Sequence, residues 1–146
     1  MRYRFATLAA AALALAFAAR GRADDLKGQD RILCTSVQAT VCTTDGDCTI
    51  ETPWNLNIPQ FIEINLKDKT ASTTKASGEN RMTPLGNVTR DEGLIVIQGL
   101  EMGRAFSFVI TEDTGFASIA VARQNLTVSV FGACTPMQGA AAAAGK

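Results

Sequence analysis

TRDEGLIVIQGLEMGRAFSFVITEDTGFASIAVARQNLTVSVFGACT, residues Thr89–Thr135, reads as four consecutive strands joined by tight turns. The strands are expected at Leu94–Gln98, Arg104–Thr111, Phe116–Ala122 and Leu126–Gly132. Each has the β-branched and aromatic content that suits a pleated, half-buried surface. Two turns share one pattern, T-x-D-x-G followed by a large apolar residue: Thr89-Arg90-Asp91-Glu92-Gly93-Leu94 and Thr111-Glu112-Asp113-Thr114-Gly115-Phe116. A type I turn closed by a left-handed residue needs Gly at its end, and Asp within it bonds the nearby backbone, so each copy predicts a hairpin. The copies lie about 22 residues apart, the length of two ordinary strands and two connections. The stretch is an antiparallel meander.

Upstream the same signals continue. Arg31–Thr43 alternates, with Leu33, Val37, Ala39 and Val41 on one face and Cys34, Ser36, Gln38, Thr40 and Cys42 on the other. Thr49–Trp54 offers a partner strand ended by Pro53. In Phe61–Leu66, Ile62, Ile64 and Leu66 oppose Glu63 and Asn65. Lys67–Lys69 turns the chain, Thr70–Thr74 returns, Lys75–Asn80 is a flexible loop, and Arg81–Thr83 and Asn87–Thr89 are short extended pieces. This makes about eight strands, enough for an all-β small barrel or barrel-like sandwich.

Residues 1–23 have the layout of a secretory signal. Arg2 and Arg4 precede an apolar run from Phe5 to Ala19, and Gly21-Arg22-Ala23 is a small-x-small cleavage site. The run is shorter than the roughly 20 apolar residues of a typical membrane span, so no stable anchor is expected after cleavage. Residues 24–135 then form a single domain, and 136–146 a disordered, alanine-rich tail. The whole chain balances 14 basic against 14 acidic residues. Losing Arg2, Arg4, Arg20 and Arg22 leaves ten against fourteen, near −4. Such a surface repels nucleic acid and anionic lipid and excludes both as partners.

All four cysteines lie in the mature part. In an exported protein, periplasmic or extracellular, four cysteines read as two disulfides with three possible pairings. Cys42 and Cys48 flank an Asp-Gly turn that can bring their sulfurs together, and this leaves Cys34 for Cys134. Without a Cys-x-x-Cys pair or any histidine, zinc is not expected, and Asp45-Gly46-Asp47 lacks the further oxygen ligands of a calcium loop. Neither a metal nor a cofactor is expected.

Through Gly103–Ile110 (GRAFSFVI), preceded by Ile97-Gln98-Gly99 and followed by Phe131–Thr135 (FGACT), the chain resembles a family of small exported bacterial proteins of unassigned function. The similarity runs through most of the mature chain, including Arg81 and the cysteines. It implies export and one small domain, and it carries no activity with it.

The residues argue against an enzyme. No histidine exists to activate a serine or cysteine nucleophile, and oxidised cysteines offer no thiolate. Ser107 and Ser118 have no spacing that commends a Ser-Lys pair. The adjacent acids Asp91 and Glu92, or Glu112 and Asp113, sit side by side in turns rather than across a cleft. A binding module for a small apolar ligand or an envelope protein is the better expectation. Trp54, the only tryptophan, with Arg81 and Arg104 has the composition of a recognition hot spot. The structural expectation beside it is that Trp54 plugs one end of the core and Arg104 makes a solvated ion pair. Phe106, Phe108 and Ile110 share an inward face. An inhibitor of an envelope or extracellular hydrolase, inserting Lys75–Asn80 or Gly99–Gly103, is the alternative, and a structural envelope protein a second one.

Overall fold

The computed structural model describes residues 25–137. The expected signal segment and the tail beyond Met137 lie outside the described residues. Nine strands form one antiparallel sheet: β1 (Arg31–Thr43), β2 (Cys48–Glu51), β3 (Phe61–Asn65), β4 (Thr70–Thr73), β5 (Met82–Asp91), β6 (Leu94–Glu101), β7 (Arg104–Thr111), β8 (Phe116–Arg123) and β9 (Leu126–Pro136). Strand neighbours run β1-β3-β4-β5-β6-β7-β8-β9 and back to β1, which closes an eight-stranded barrel, with β2 as an extra strand on β1. Closure abolishes the sheet edges that an open meander would leave.

The thirteen residues of β1 make this arrangement possible. One edge pairs with β9 from Ile32↔Pro136 to Thr43↔Leu126. The other is divided, Arg31–Thr35 going to β3 and Ala39–Cys42 to β2. Its alternation is broken by a bulge between Ser36 and Gln38. Ile32, Cys34 and Ser36 therefore point inward before the bulge and Ala39 and Val41 after it, while Val37 is exposed. The expected common face for Leu33, Val37, Ala39 and Val41 is thus corrected, since one extra residue swaps the faces. Gly132 of β9 packs opposite this region, where a Cβ would collide with the Thr35 carbonyl oxygen.

β5 is also longer than expected, because Pro84 and Gly86 do not end it. Leu85 N–H points to the β4 side, donating to Lys69 O at 2.8 Å, so the Pro84 nitrogen faces the other side, beyond the last β6 rung at Leu85↔Gly99. No ladder bond is lost there. Gly86 is the residue of a second bulge, between Leu85 and Asn87. At the other end of the chain, Pro136 belongs to β9 rather than to a tail, and Met137 N–H bonds to Arg31 O.

The inward residues make one core of Ile32, Ile64, Ile95, Ile97, Phe108, Ile110, Ile119, Val128 and Val130. Phe106 meets Phe108 edge to face, with ring centroids 5.7 Å apart, the arrangement that aromatic quadrupoles favour. The disulfides join Cys34 to Cys134 inside the barrel, at directly opposed positions of β1 and β9, and Cys42 to Cys48 between β1 and β2. The first of these crosses the seam that closes the barrel.

The two ends of the barrel differ. The lower end, with the β5–β6 and β7–β8 turns, is sealed by the segment before β1, whose Leu26 is fully buried. Leu26 N–H donates to Glu112 O, and Arg90 holds Leu26 O and Gln29 O while pairing with the Glu112 carboxylate. The upper end carries the β1–β2, β6–β7 and β8–β9 turns and the two longest connections, 52–60 and 74–81. It is covered by the turn at Pro53–Leu56 and by the side chains that hold that turn.

Candidate binding site at the upper end of the barrel

After β2 the chain cannot remain a strand through Pro53. It makes a 3-10 turn over Pro53–Leu56, ending at Asn57 in the left-handed region (φ 57°) before Pro59 leads into β3. Trp54 rides on this turn and is 52% exposed, so it is not the core plug expected for it; Pro53 is the buried residue. A 3-10 turn projects successive residues about 120° apart, and burying Pro53 points its neighbour outward.

Two guanidiniums reach this turn from below. Arg81 Nη1 donates to Asn57 O at 3.2 Å and reaches Asn57 Oδ1 at 3.4 Å, while Arg81 Nη2 donates to Glu101 Oε1 at 2.9 Å. Glu79 Oε2 lies 3.6 Å from Arg81 on the solvent side. Arg104 Nη1 donates to Leu56 O at 3.3 Å, and its Nη2 stands 3.8 Å from Glu101 Oε2. Thr83 Oγ1 donates to Glu101 Oε1 at 3.0 Å. The side chains of Arg104, Arg81 and Glu101 are only 16%, 21% and 25% exposed. The solvated pair expected of Arg104 is therefore corrected: this guanidinium is mostly withdrawn from water.

The sequence reading named Trp54, Arg81 and Arg104, and the fold brings all three to one end of the barrel, with Arg81 and Arg104 meeting at Glu101. Glu101 itself was missed. Its signal was present in Glu101-Met102-Gly103-Arg104, since the residues flanking a two-residue hairpin turn stand directly opposite each other. Gly99–Gly103, expected as an insertable loop, is instead a strand end followed by that tight turn, with Met102 and Gly103 both at positive φ. Lys75–Asn80 does form a connection, containing a 3-10 turn at Lys75–Ser77.

Behind the arginines lies a cavity of about 80 Å³ walled by Ile62, Ala71, Phe106, Phe108, Ile119 and Val121. On the outer side is a recess of about 410 Å³ bounded by Trp54, Ile58, Phe61, Ala76 and Glu79. Arg81 and Asn57–Pro59 line both and so form the partition between them. Elsewhere, Ser107 and Ser118 stand on the outer face of the barrel opposite Ala120 and Val109, with no acid or base across from them. Glu112 is held by Arg90.

Burial of Glu101 by itself raises its carboxyl pKa, but hydrogen bonds from Arg81 and Thr83 and the charges of Arg81 and Arg104 outweigh it and hold the group below its ordinary value of 4.5. A carboxylate depressed on folding contributes stability above its unfolded value, and that contribution is lost as pH falls through the lower folded value. The wild-type protein is thus expected to lose this contribution only below about pH 4.5. Glu101→Gln should be less stable at pH 7 and should lose less on going from pH 5 to pH 3. Urea unfolding across that range checks this, and parallel acid limbs for the two proteins would refute it.

No family model and no curated protein sequence matches the chain.

Proposed function

We propose that the protein is an exported, non-enzymatic binding module that takes a small apolar ligand at the upper end of its barrel. One observation carries the reading: an otherwise packed β-barrel keeps, at its upper end, an apolar cavity and an outer recess parted by an ion-paired turn. Small-molecule sites are concave, mostly apolar and fitted with few polar groups, and the mouths of β-barrels are a common place for them. Two disulfides are compatible with an oxidising compartment, and the basic, apolar leader and the resemblance to small exported proteins support export.

Trp54 makes the test direct. It is the only tryptophan, and the only tyrosine, Tyr3, lies in the leader, so the processed protein's intrinsic emission comes from the outer recess that adjoins the cavity. Titration with the neutral apolar probe N-phenyl-1-naphthylamine, which is too large for the cavity of about 80 Å³ and seats in the outer recess of about 410 Å³ beside Trp54, should give a saturable change in Trp54 emission and a one-to-one adduct in native mass spectrometry. Trp54→Ala should weaken the probe by about 2 kcal/mol, as loss of a hot-spot aromatic does, with its melting temperature nearly unchanged. Absence of saturation and of any adduct would remove the reading.

A protein partner, including a hydrolase to be inhibited, is the second reading. It is favoured by the exposed Leu100 and Met102 at the β6–β7 turn, on the same end as Trp54. In that case Met102→Asp abolishes retention of the partner from an envelope extract and leaves the probe titration unchanged.

A further inference from the structure

Resting on the ligand-binding reading, we infer that the ligand is a short-chain alkyl carboxylate, with its carboxylate on Arg104 and its chain in the apolar cavity. The two arginines at the mouth differ in how their donors are used. Arg81 is committed: its Nη1 and Nη2 serve Asn57 O, Asn57 Oδ1 and Glu101, with Glu79 alongside. Arg104 is not. A guanidinium has five N–H donors, and among the described residues Arg104 donates one hydrogen bond, at 3.3 Å to Leu56 O. Its contact with Glu101 is an ion pair at 3.8 Å, too long for a hydrogen bond. A side chain that is 16% exposed cannot satisfy the remaining donors freely with water, and it lines the cavity. A planar donor fork with unused capacity beside an apolar space is matched by a carboxylate, which takes two parallel N–H bonds.

Charge leads to the same class. Arg81 and Arg104 converge on Glu101, which the neighbouring cations keep ionised. Glu79, 46% exposed on the solvent side of Arg81, is screened by water. Counted with Glu79 the cluster holds two cations and two anions, but both carboxylates lie closer to Arg81 than to Arg104 or reach Arg81 alone, so a further carboxylate meets its cation at Arg104. A cationic ligand would add a third positive charge, and a neutral alcohol would leave the fork under-bonded. Size limits the chain. A dry cavity of roughly 150 Å³ accepts benzene, so about 80 Å³ takes a chain of three or four carbons beyond the head group. Pentanoate is the representative ligand. A ligand of so few atoms is expected to bind with a Kd on the order of 0.1–1 mM.

The test is calorimetric titration of the processed protein with pentanoate, 1-pentanol and pentylammonium, with N-phenyl-1-naphthylamine titrated in parallel. Pentanoate should saturate, pentanol should bind about tenfold or more weakly, the margin that hydrogen bonds to a charged group supply, and pentylammonium should not bind. Arg104→Gln should bring pentanoate to the level of pentanol without altering pentanol, a pattern that general damage to the fold would not produce. Should that variant not fold, Ala71→Leu, which fills the cavity from its wall, should abolish pentanoate binding while the arginines stay in place. Equal binding of pentanol and pentanoate, or retained pentanoate binding in Ala71→Leu, overturns the inference. Saturation by the neutral probe with no binding of any pentyl compound removes this inference alone. Failure of the probe as well removes the binding-module reading with it.

Discussion

Replacing both Cys34 and Cys134 by alanine is expected to cost about 4–5 kcal/mol, a fall in melting temperature on the order of 20 °C. The bridge spans 100 residues of sequence, and in the chain-entropy model a loop of that size is worth roughly 4.7 kcal/mol. Both cysteines are buried, so their sulfurs also leave unfilled core volume behind. The position compounds the effect, because β1 and β9 are the first and last strands of the barrel and their pairing is the contact of longest sequence range. Closing that seam costs more loop entropy than any hairpin in the meander. Cys42→Ala with Cys48→Ala removes a bridge across only 6 residues, from an extra strand outside the barrel, and should cost about 2 kcal/mol. Urea unfolding of the two double variants, followed by far-ultraviolet ellipticity, decides. Equal losses, or a larger loss for the Cys42–Cys48 pair, would mean that the seam does not depend on its bridge.

The second large effect is expected at the lower end. Leu26→Ala should destabilise the protein by about 3 kcal/mol, within the range for truncating a buried leucine. Leu26 is fully buried although it lies five residues before the first strand, and its backbone N–H and C=O are both engaged, by Glu112 O and Arg90. The backbone bonds survive the substitution, so the loss reports the plug itself. Native-state hydrogen exchange adds a local readout, since the amides of the β5–β6 and β7–β8 turns should open more readily than those at the upper end. A loss below about 1 kcal/mol would place the segment outside the cooperative unit and leave the lower end held by the strands alone.

Neither end could be read from the chain in one dimension. Leu26 stands alone between Asp25 and Lys27, without a periodic partner, and a single apolar residue in a polar stretch carries no pattern. At the upper end, residue type picked out Trp54, Arg81 and Arg104 because aromatic and guanidinium side chains are what recognition surfaces use. Their convergence depends on β5, β6 and β7 being neighbours around the barrel, and on a turn from elsewhere in the chain supplying the carbonyls of Leu56 and Asn57. Local spacing contains no such information beyond the Glu101–Arg104 pair.

By itself the sequence determined the meander, the strand class and the inward face of β7, because alternation and Gly-bearing turns act over a few residues and need no distant partner. Even there the copies of T-x-D-x-G part company. Glu92 and Gly93 make a two-residue turn with both φ positive, while the second copy spreads over Glu112–Gly115, with Gly115 O accepting from Cys134 N–H and no room for a Cβ beside the Cys134 carbonyl oxygen. A neighbouring strand, not the motif, selects between them. The tertiary structure alone decided that the sheet closes, that bulges at Val37 and Gly86 exchange inside for outside, that Trp54 faces water, and that Arg104 is withdrawn from it. Each of these depends on which strand lies alongside which, a matter settled by the free energy of closing the whole barrel.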